Sequence, residues 1–307
     1  MFHHFHDNKN YIKSDGSINK IHLEKLIYKI GRKNILDPNI LLNYHTVNNK
    51  KKTKYVLTFD DGLRCQVVIA SKILKKFKIK AFFFIFSSIF TKKPDLLEVY
   101  RHFRFTKFKK IDDFYKDFFS EVNLKLKKNV DIFLKKKTQE IKEFKKVSPY
   151  YSLNDIKFRL VRNQFLTNTE YKKIMFFLFE KKKYNYKKSL KKLYMDRSDL
   201  IKLVKDGHTI GLHSHSHQTL INAQNINNQI KEYKLNKKFL EKIIKKKICS
   251  ASYPFGNFNN QTLKALNKIG IKFAFMKNEI LLNKKIYPDL QLPRINHSNL
   301  VKKFKIR

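Results

Sequence analysis

Two short apolar runs, Tyr55 to Phe59 (YVLTF) and Ala81 to Phe86 (AFFFIF), have the length of strands and a composition rich in β-branched and aromatic residues. Between them, Val67 to Lys76 (VVIASKILKK) places apolar residues at 67, 68, 69, 73 and 74 with lysines on the other side, which is helical spacing. Strand, helix, strand predicts a βαβ unit and with it a parallel sheet. The alternation returns later. Leu200 to Lys205 has the pattern of a helix ending at Gly207, His208 to His213 (HTIGLH) that of a strand, and Ile226 to Lys245 that of a long Lys-rich helix. Ile248 to Tyr253 is then a predicted strand, Gln261 to Lys268 a helix closed by Gly270, Ile271 to Met276 a strand, and Leu290 to Ile295 a last extended segment. Five or more βα repeats predict an α/β fold, either a barrel or an open sheet.

Between about residues 94 and 196 the alternation stops. This stretch has no glycine, and Asp112 to Phe119 and Tyr171 to Lys183 show helical spacing. We therefore expect one domain over 1–307, with 94–196 a helical insertion that serves as a lid or side subdomain.

Composition narrows the classes. A chain of 307 residues that is 42% hydrophobic has ample material for a buried core, which excludes wholesale disorder. The longest apolar run, Ala81 to Phe86 continuing to Ile89 and Phe90, is about half of what a membrane-spanning helix needs, so no membrane span is expected. Met1-Phe2-His3-His4 carries no signal-peptide pattern, and a cytoplasmic location is expected. The two cysteines, Cys65 and Cys249, lie far apart and outside any CxxC arrangement. Any metal site must therefore use His and carboxylate.

The net charge of +43 would by itself suggest nucleic acid or an anionic surface. However, only nine of the 68 basic residues are arginine, and 28 Phe with no Trp point to the Lys, Phe, Ile and Asn enrichment of an AT-rich genome. Lysine is also spread in short clusters along the whole chain, so no nucleic-acid partner is expected, although phosphate-bearing substrates would be tolerated.

Candidate chemistry sits at predicted strand ends. Thr58-Phe59-Asp60-Asp61-Gly62 lies where the first strand gives way to a loop, the edge at which α/β sheets bind ligands. Adjacent side chains diverge there, so Asp60 and Asp61 suit different tasks, one ligating a cation and the other taking a proton from water; a plain Asp-Gly turn is the alternative. In His213-Ser214-His215-Ser216-His217 the outer histidines stand four apart, and a loop turning into a helix would present both to one ion while His215 points elsewhere. Two His and one Asp make a three-ligand set with open positions, the catalytic pattern. Ala251-Ser252-Tyr253-Pro254-Phe255-Gly256 ends another strand in a tight turn whose backbone N–H groups could hold an oxyanion.

TFDDG, HSHSH about 150 residues later and SYPFG about 40 after that resemble, in order and placement, the first three motifs of the polysaccharide deacetylase family. The resemblance covers about residues 40 to 297. It implies a distorted (β/α) barrel with parallel strands, and a metal-dependent hydrolase that removes an N-acetyl group from an amino sugar. The opening Met1 to Asp7 also looks like the first-strand segment of members acting on cell-surface polysaccharide precursors. Carried over by position, Asp60 matches the general base, and Asp61, His213 and His217 the ligands of a divalent ion, for which zinc is favoured. Phe255 N–H matches the oxyanion donor. The third-motif arginine is replaced by Ser252, and no fourth-motif Asp is visible in Ile271 to Glu279.

His297 is the candidate general acid, with a surface histidine as the alternative. Arg294 is expected either to bind substrate or to replace the missing arginine. His4, His6 and Tyr253 are expected to line the substrate pocket, with His45 a weaker candidate, while His3, His22, His102 and His208 are read as structural or exposed. The expected partner is an N-acetylated sugar or glycan precursor, nucleotide- or lipid-linked; nothing in the chain sets an oligomeric state. A non-catalytic carbohydrate-binding relative and an amidohydrolase for non-sugar amides are the alternatives.

Overall fold

The apolar runs form five parallel strands in the order β1-β2-β3-β4-β5: β1 Thr58–Asp60, β2 Phe82–Ile85, β3 Thr209–Leu212, β4 Ser250–Ser252 and β5 Phe273–Phe275. The computed structural model describes residues 1–7, 9–14, 16–42, 54–147, 151–218, 220–277 and 288–306. Every strand residue except Thr209 is buried, which is why these strands are continuous apolar runs and not alternating ones. Register is tight: Thr58, Phe59 and Asp60 pair with Phe82, Phe83 and Phe84, and Phe82 to Ile85 with Thr209 to Leu212. Gly211 in β3 is required by packing, since a Cβ there would overlap the Phe84 ring and lie 2.9 Å from Ser250 Oγ.

Helices bridge the strands as right-handed crossovers require. A π-type turn, Gln66–Ala70, runs into the helix Ser71–Lys76 between β1 and β2. The helix Arg197–Lys205 opens on a capping box of Asp196 and Asp199 before β3, and Asn260–Lys268 on one of Asn259 and Thr262 before β5. The helix Ile226–Ile244 joins β3 to β4.

The sheet is a curled half-barrel, and chain ends continue its curve. Phe2 bridges Phe59 in parallel, with Phe2 N–H donating to Thr58 O at 2.8 Å and Asp60 N–H to Phe2 O at 3.0 Å. On the far side Leu292 bridges Phe275. The two added segments then meet, Met1 N donating to Ile295 O at 2.9 Å and His297 N–H to Met1 O at 3.1 Å. A ring of backbone contacts closed this way is a distorted (β/α) barrel.

By chain contacts the protein divides into Met1–Asp95 with Lys191–Arg307, which carries the sheet, and Leu96–Leu190. The second unit is helical, with Leu97–Thr106, Ile111–Leu126, Leu153–Leu160 and Asn168–Lys181 among its helices. Its core is aromatic: Phe118 packs 5.0 Å from Phe158, and Phe103 4.8 Å from Phe179. Among the described residues, no helix is long and apolar enough to cross a membrane.

Candidate active site

β1 delivers Asp60 as its last residue, and the backbone then turns through the left-handed region at Asp61 (φ 76°) and Gly62 (φ 61°). This reversal sends the two carboxylates in different directions. Asp60 is 2% exposed and is gripped by Arg294, with Nη1 donating to Oδ1 at 2.7 Å and Nη2 to Oδ2 at 2.8 Å. Ser252 Oγ donates to Asp60 Oδ2 at 3.3 Å. Burial alone would raise the Asp60 carboxyl, but the Arg294 guanidinium, with His213 and His3, holds it below the usual value. The aspartate is therefore an anion fixed in orientation.

Asp61 faces the two outer histidines, its Oδ1 lying 3.3 Å from Nε2 of both His213 and His217. His213 follows β3, and the chain reaches His217 through left-handed residues at Ser214 (φ 59°) and His217 itself (φ 53°), with Ser214 Oγ accepting from His217 N–H at 3.1 Å. The expected turn into a helix is absent: two left-handed residues curl the loop and bring the imidazoles together. Asn236, fully buried on the helix Ile226–Ile244, accepts from His213 N–H at 3.0 Å and donates to Ile85 O at 3.1 Å, tying this loop to the end of β2.

These three residues fit a cation. Their ligating atoms all lie within 4.8 Å of one another. Tetrahedral ligands at roughly 2.0–2.2 Å from an ion stand roughly 3.3–3.6 Å apart, which is the separation from Asp61 to each histidine. The hydrogen bond from His213 Nδ1 to Ser252 O at 2.9 Å places the proton on Nδ1 and leaves a lone pair on Nε2. That lone pair and a carboxylate oxygen face each other at 3.3 Å, an arrangement that repels unless a positive charge lies between them. The His217 ring is held by Phe86 at 4.7 Å and Phe255 at 5.1 Å.

The sequence profile of the polysaccharide deacetylase family matches residues 47–102 and 164–274, more than half of the chain. The chain belongs to the polysaccharide deacetylase family. No curated protein sequence matches it. The structure of deacetylase PplD from Streptococcus pyogenes, in complex with acetate, aligns over 98% of this deacetylase and 94% of its own chain at 14% identity, with a TM-score of 0.53. A de-N-acetylase from Aggregatibacter actinomycetemcomitans aligns over 96% and 92% at 14% identity (TM-score 0.54). IcaB from Ammonifex degensii aligns over 95% and 88% at 13% identity (TM-score 0.53). At these identities the likeness is one of fold. Membership makes this chain a carbohydrate N-deacetylase, a hydrolase of non-peptide carbon–nitrogen bonds.

Several expected roles in the deacetylase change. Arg294 is not placed to bind substrate: it is 5% exposed and both terminal nitrogens are committed to Asp60. Tyr253 does not line a pocket either; it is 1% exposed, its hydroxyl donates to Leu290 O at 2.7 Å and its ring stacks on Phe258 at 4.4 Å. His6 is buried with Nδ1 2.8 Å from Ser17 Oγ, among residues of the N-terminal loop. His4 is half-buried, its ring 6.2 Å from that of His3. His45 lies outside the described residues. His215 turns away as expected, to Ser87 Oγ at 2.8 Å.

His297 is not placed as a general acid. Its Nδ1 faces Met1 O at 3.2 Å, its Nε2 faces Gly16 O at 2.8 Å, and it stacks 5.5 Å from the Phe2 ring, so it serves the closure of the barrel. The residue missed is His3, whose Nε2 lies 4.0 Å from Asp60 Oδ2 on a side chain 27% exposed. The parallel bridge from Phe2 to Phe59 sets His3 beside Asp60, and that register was the signal.

Burial pushes His297 and His208 down to about 4, and both are neutral at pH 7, so His297 donates from one ring nitrogen only. His208 Nδ1 accepts from Ala81 N–H at 3.3 Å, which a protonated ring cannot do. Since the unfolded chain takes up these protons near pH 6.5, stability should fall as pH drops from about 6.5 to about 4, by on the order of a few kcal/mol for each ring. A His297→Gln variant should melt lower at pH 7, show a shallower loss over that window, and keep its kcat. A loss of kcat comparable to that of an Asp60 variant would restore His297 to the chemistry.

Proposed function

We propose that the protein is a metal-dependent deacetylase that removes an N-acetyl group from an amino sugar of a cell-surface polysaccharide or its intracellular precursor. The observation that carries the reading is the pair of neighbouring carboxylates put to different uses, Asp60 clamped by Arg294 and Asp61 facing His213 and His217. Asp61, His213 and His217 would hold a divalent ion, zinc being favoured for a His2Asp set, and the ion when bound supplies Lewis-acid polarisation of the acetamide carbonyl and acidification of water.

Asp60, held as an anion, takes the proton from the attacking water. The new oxygen–carbon bond makes a tetrahedral centre, whose developing oxyanion the Phe255 N–H, at a left-handed turn (φ 57°), would receive. The proton that Asp60 has taken then passes to the sugar nitrogen, with His3, a ring that burial keeps neutral at rest, relaying it as the carbon–nitrogen bond breaks and acetate leaves. Ser252, bridging Asp60 and His213, keeps base and ligand in register. That the S. pyogenes structure was solved with acetate is in keeping with this product. A nucleotide- or lipid-linked precursor met in the cytoplasm is the finer form of the proposal.

Acetate release from N-acetylglucosamine oligomers should vanish with a chelator and return with added zinc or cobalt. The Asp61→Ala, His213→Ala double variant should be purified without the near-stoichiometric metal of the parent. Full metal occupancy in that variant, or chelator-insensitive release, would sink the proposal.

A further inference from the structure

In a chain that uses lysine almost everywhere, its few arginines mark places where a planar fork is needed. Arg32 donates to Phe77 O and Lys78 O, Arg64 pairs with Asp196 and Asp199, Arg101 grips Glu98 with two nitrogens, and Arg294 grips Asp60 with two. Three further arginines of the helical unit, Arg104, Arg159 and Arg162, gather on one carboxylate. Arg159 Nε donates to Asp155 Oδ2 at 2.5 Å, the Tyr115 hydroxyl donates to Oδ1 at 2.8 Å, and Arg104 Nη1 stays 3.9 Å from Oδ1. Asp155 is thus bonded to Arg159 and Tyr115, and it meets Arg104 only at the long end of ion-pair distance.

The other two guanidiniums are left over. Arg104 is 12% exposed, lies 5.0 Å from the Phe158 ring and 5.7 Å from that of Phe114, and among the described residues its buried Nε has no hydrogen-bond partner. Arg162 sits 5.6 Å from the same Phe158 ring, and among the described residues it donates only to the neutral Asn163 side chain, at 2.8 Å. Among the described residues no second carboxylate pairs with any of the three. Burial and the charges of Arg159 and Arg104 together pull the Arg162 guanidinium below its ordinary value, a sign that these cations feel one another. Half-buried like charges that share a single counter-ion are costly, and forked donors with an excess of two positive charges complement a dianionic phosphate.

We propose that Arg104, Arg159 and Arg162 form a binding site for a phosphate-bearing ligand in the helical unit. Arg104 and Arg162 supply the donors, Arg159 adds its charge from Asp155, and Phe158 spaces the forks. Lysine in their place would keep the charge and lose the bidentate geometry.

Titration calorimetry of the full chain with inorganic pyrophosphate tests this. Saturable binding to one site is expected, weakened at least about tenfold in both Arg104→Lys and Arg162→Lys, the loss of one or more charged hydrogen bonds. A surface control, Lys264→Gln, should bind as the parent does. Equal affinity in the Lys variants, or no saturable binding, overturns the proposal. Should Arg104→Lys melt early, Arg162→Lys decides. Competition by uridine diphosphate N-acetylglucosamine assigns the phosphate to a soluble sugar nucleotide, and competition by phosphatidylcholine vesicles carrying phosphatidic acid assigns it to a lipid; competition by neither overturns the proposal. Binding alone is read, so failure leaves the deacetylase reading standing.

Discussion

An Arg294→Met variant is expected to lose about 3–5 kcal/mol of stability and most of its activity together, because it strands a carboxylate that is 2% exposed. The loss has a distinctive pH signature. In the parent the Asp60 carboxyl lies below its ordinary 3.8, so the stability its pairing contributes is complete above that value and is lost as pH falls through the lower folded value. Without the guanidinium, burial becomes the dominant influence and drives the carboxyl upward. The acid limb of the pH–rate profile should move toward neutrality, with partial recovery of rate at higher pH. An unmoved acid limb in a folded variant would show that Arg294 does not set the charge of Asp60.

The second large effect is expected from Asp60→Asn. The amide keeps the shape but cannot take a proton, so kcat should fall by about 10²–10⁴-fold with KM little changed and the metal content intact. Metal retention separates this variant from any change at Asp61, His213 or His217. A His3→Gln variant should lose kcat as well, whereas His297→Gln should not, and that contrast assigns the proton donor. An Asp60→Asn enzyme retaining a tenth or more of parental kcat would remove Asp60 from the role of base.

The strands and the first two motifs were legible because parallel strands buried on both faces leave unbroken apolar runs, and because the chemistry sits in the loops directly after β1 and β3. Asp60, Asp61, His213 and His217 were singled out by local pattern and by resemblance to the family motifs, and the fold brings Asp61, His213 and His217 together. Arg294 could be placed near the site but not given its task, because its partner lies 234 residues away and nothing near residue 294 encodes which carboxylate it meets. Tyr253 was misassigned because it adjoins a motif, although the residue after Ser252 turns inward at the strand end. His297 was read as the acid because a late histidine fits the expected order, while the fold turns its ring to the Met1 and Gly16 carbonyls. Choosing among His3, His4 and His6 depended on one register, Phe2 against Phe59, that no spacing in the sequence reveals.

The seam between Met1 and Ile295 joins positions 294 residues apart, and the clamp on Asp60 is borne by the same late segment. Chains emerge from the ribosome N-terminus first, and domains fold as they appear. A nascent chain therefore assembles β1 to β5 around an acid whose counter-charge has not yet been made, and burial favours the neutral form of that acid. The barrel stays open, and Asp60 lacks the guanidinium that holds its charge, until the stretch around Arg294 docks. Synthesis order thus makes the final fold-closing step also the step that brings Asp60 its counter-charge, and a chain truncated just ahead of it would carry Asp61, His213 and His217 beside an unclamped Asp60.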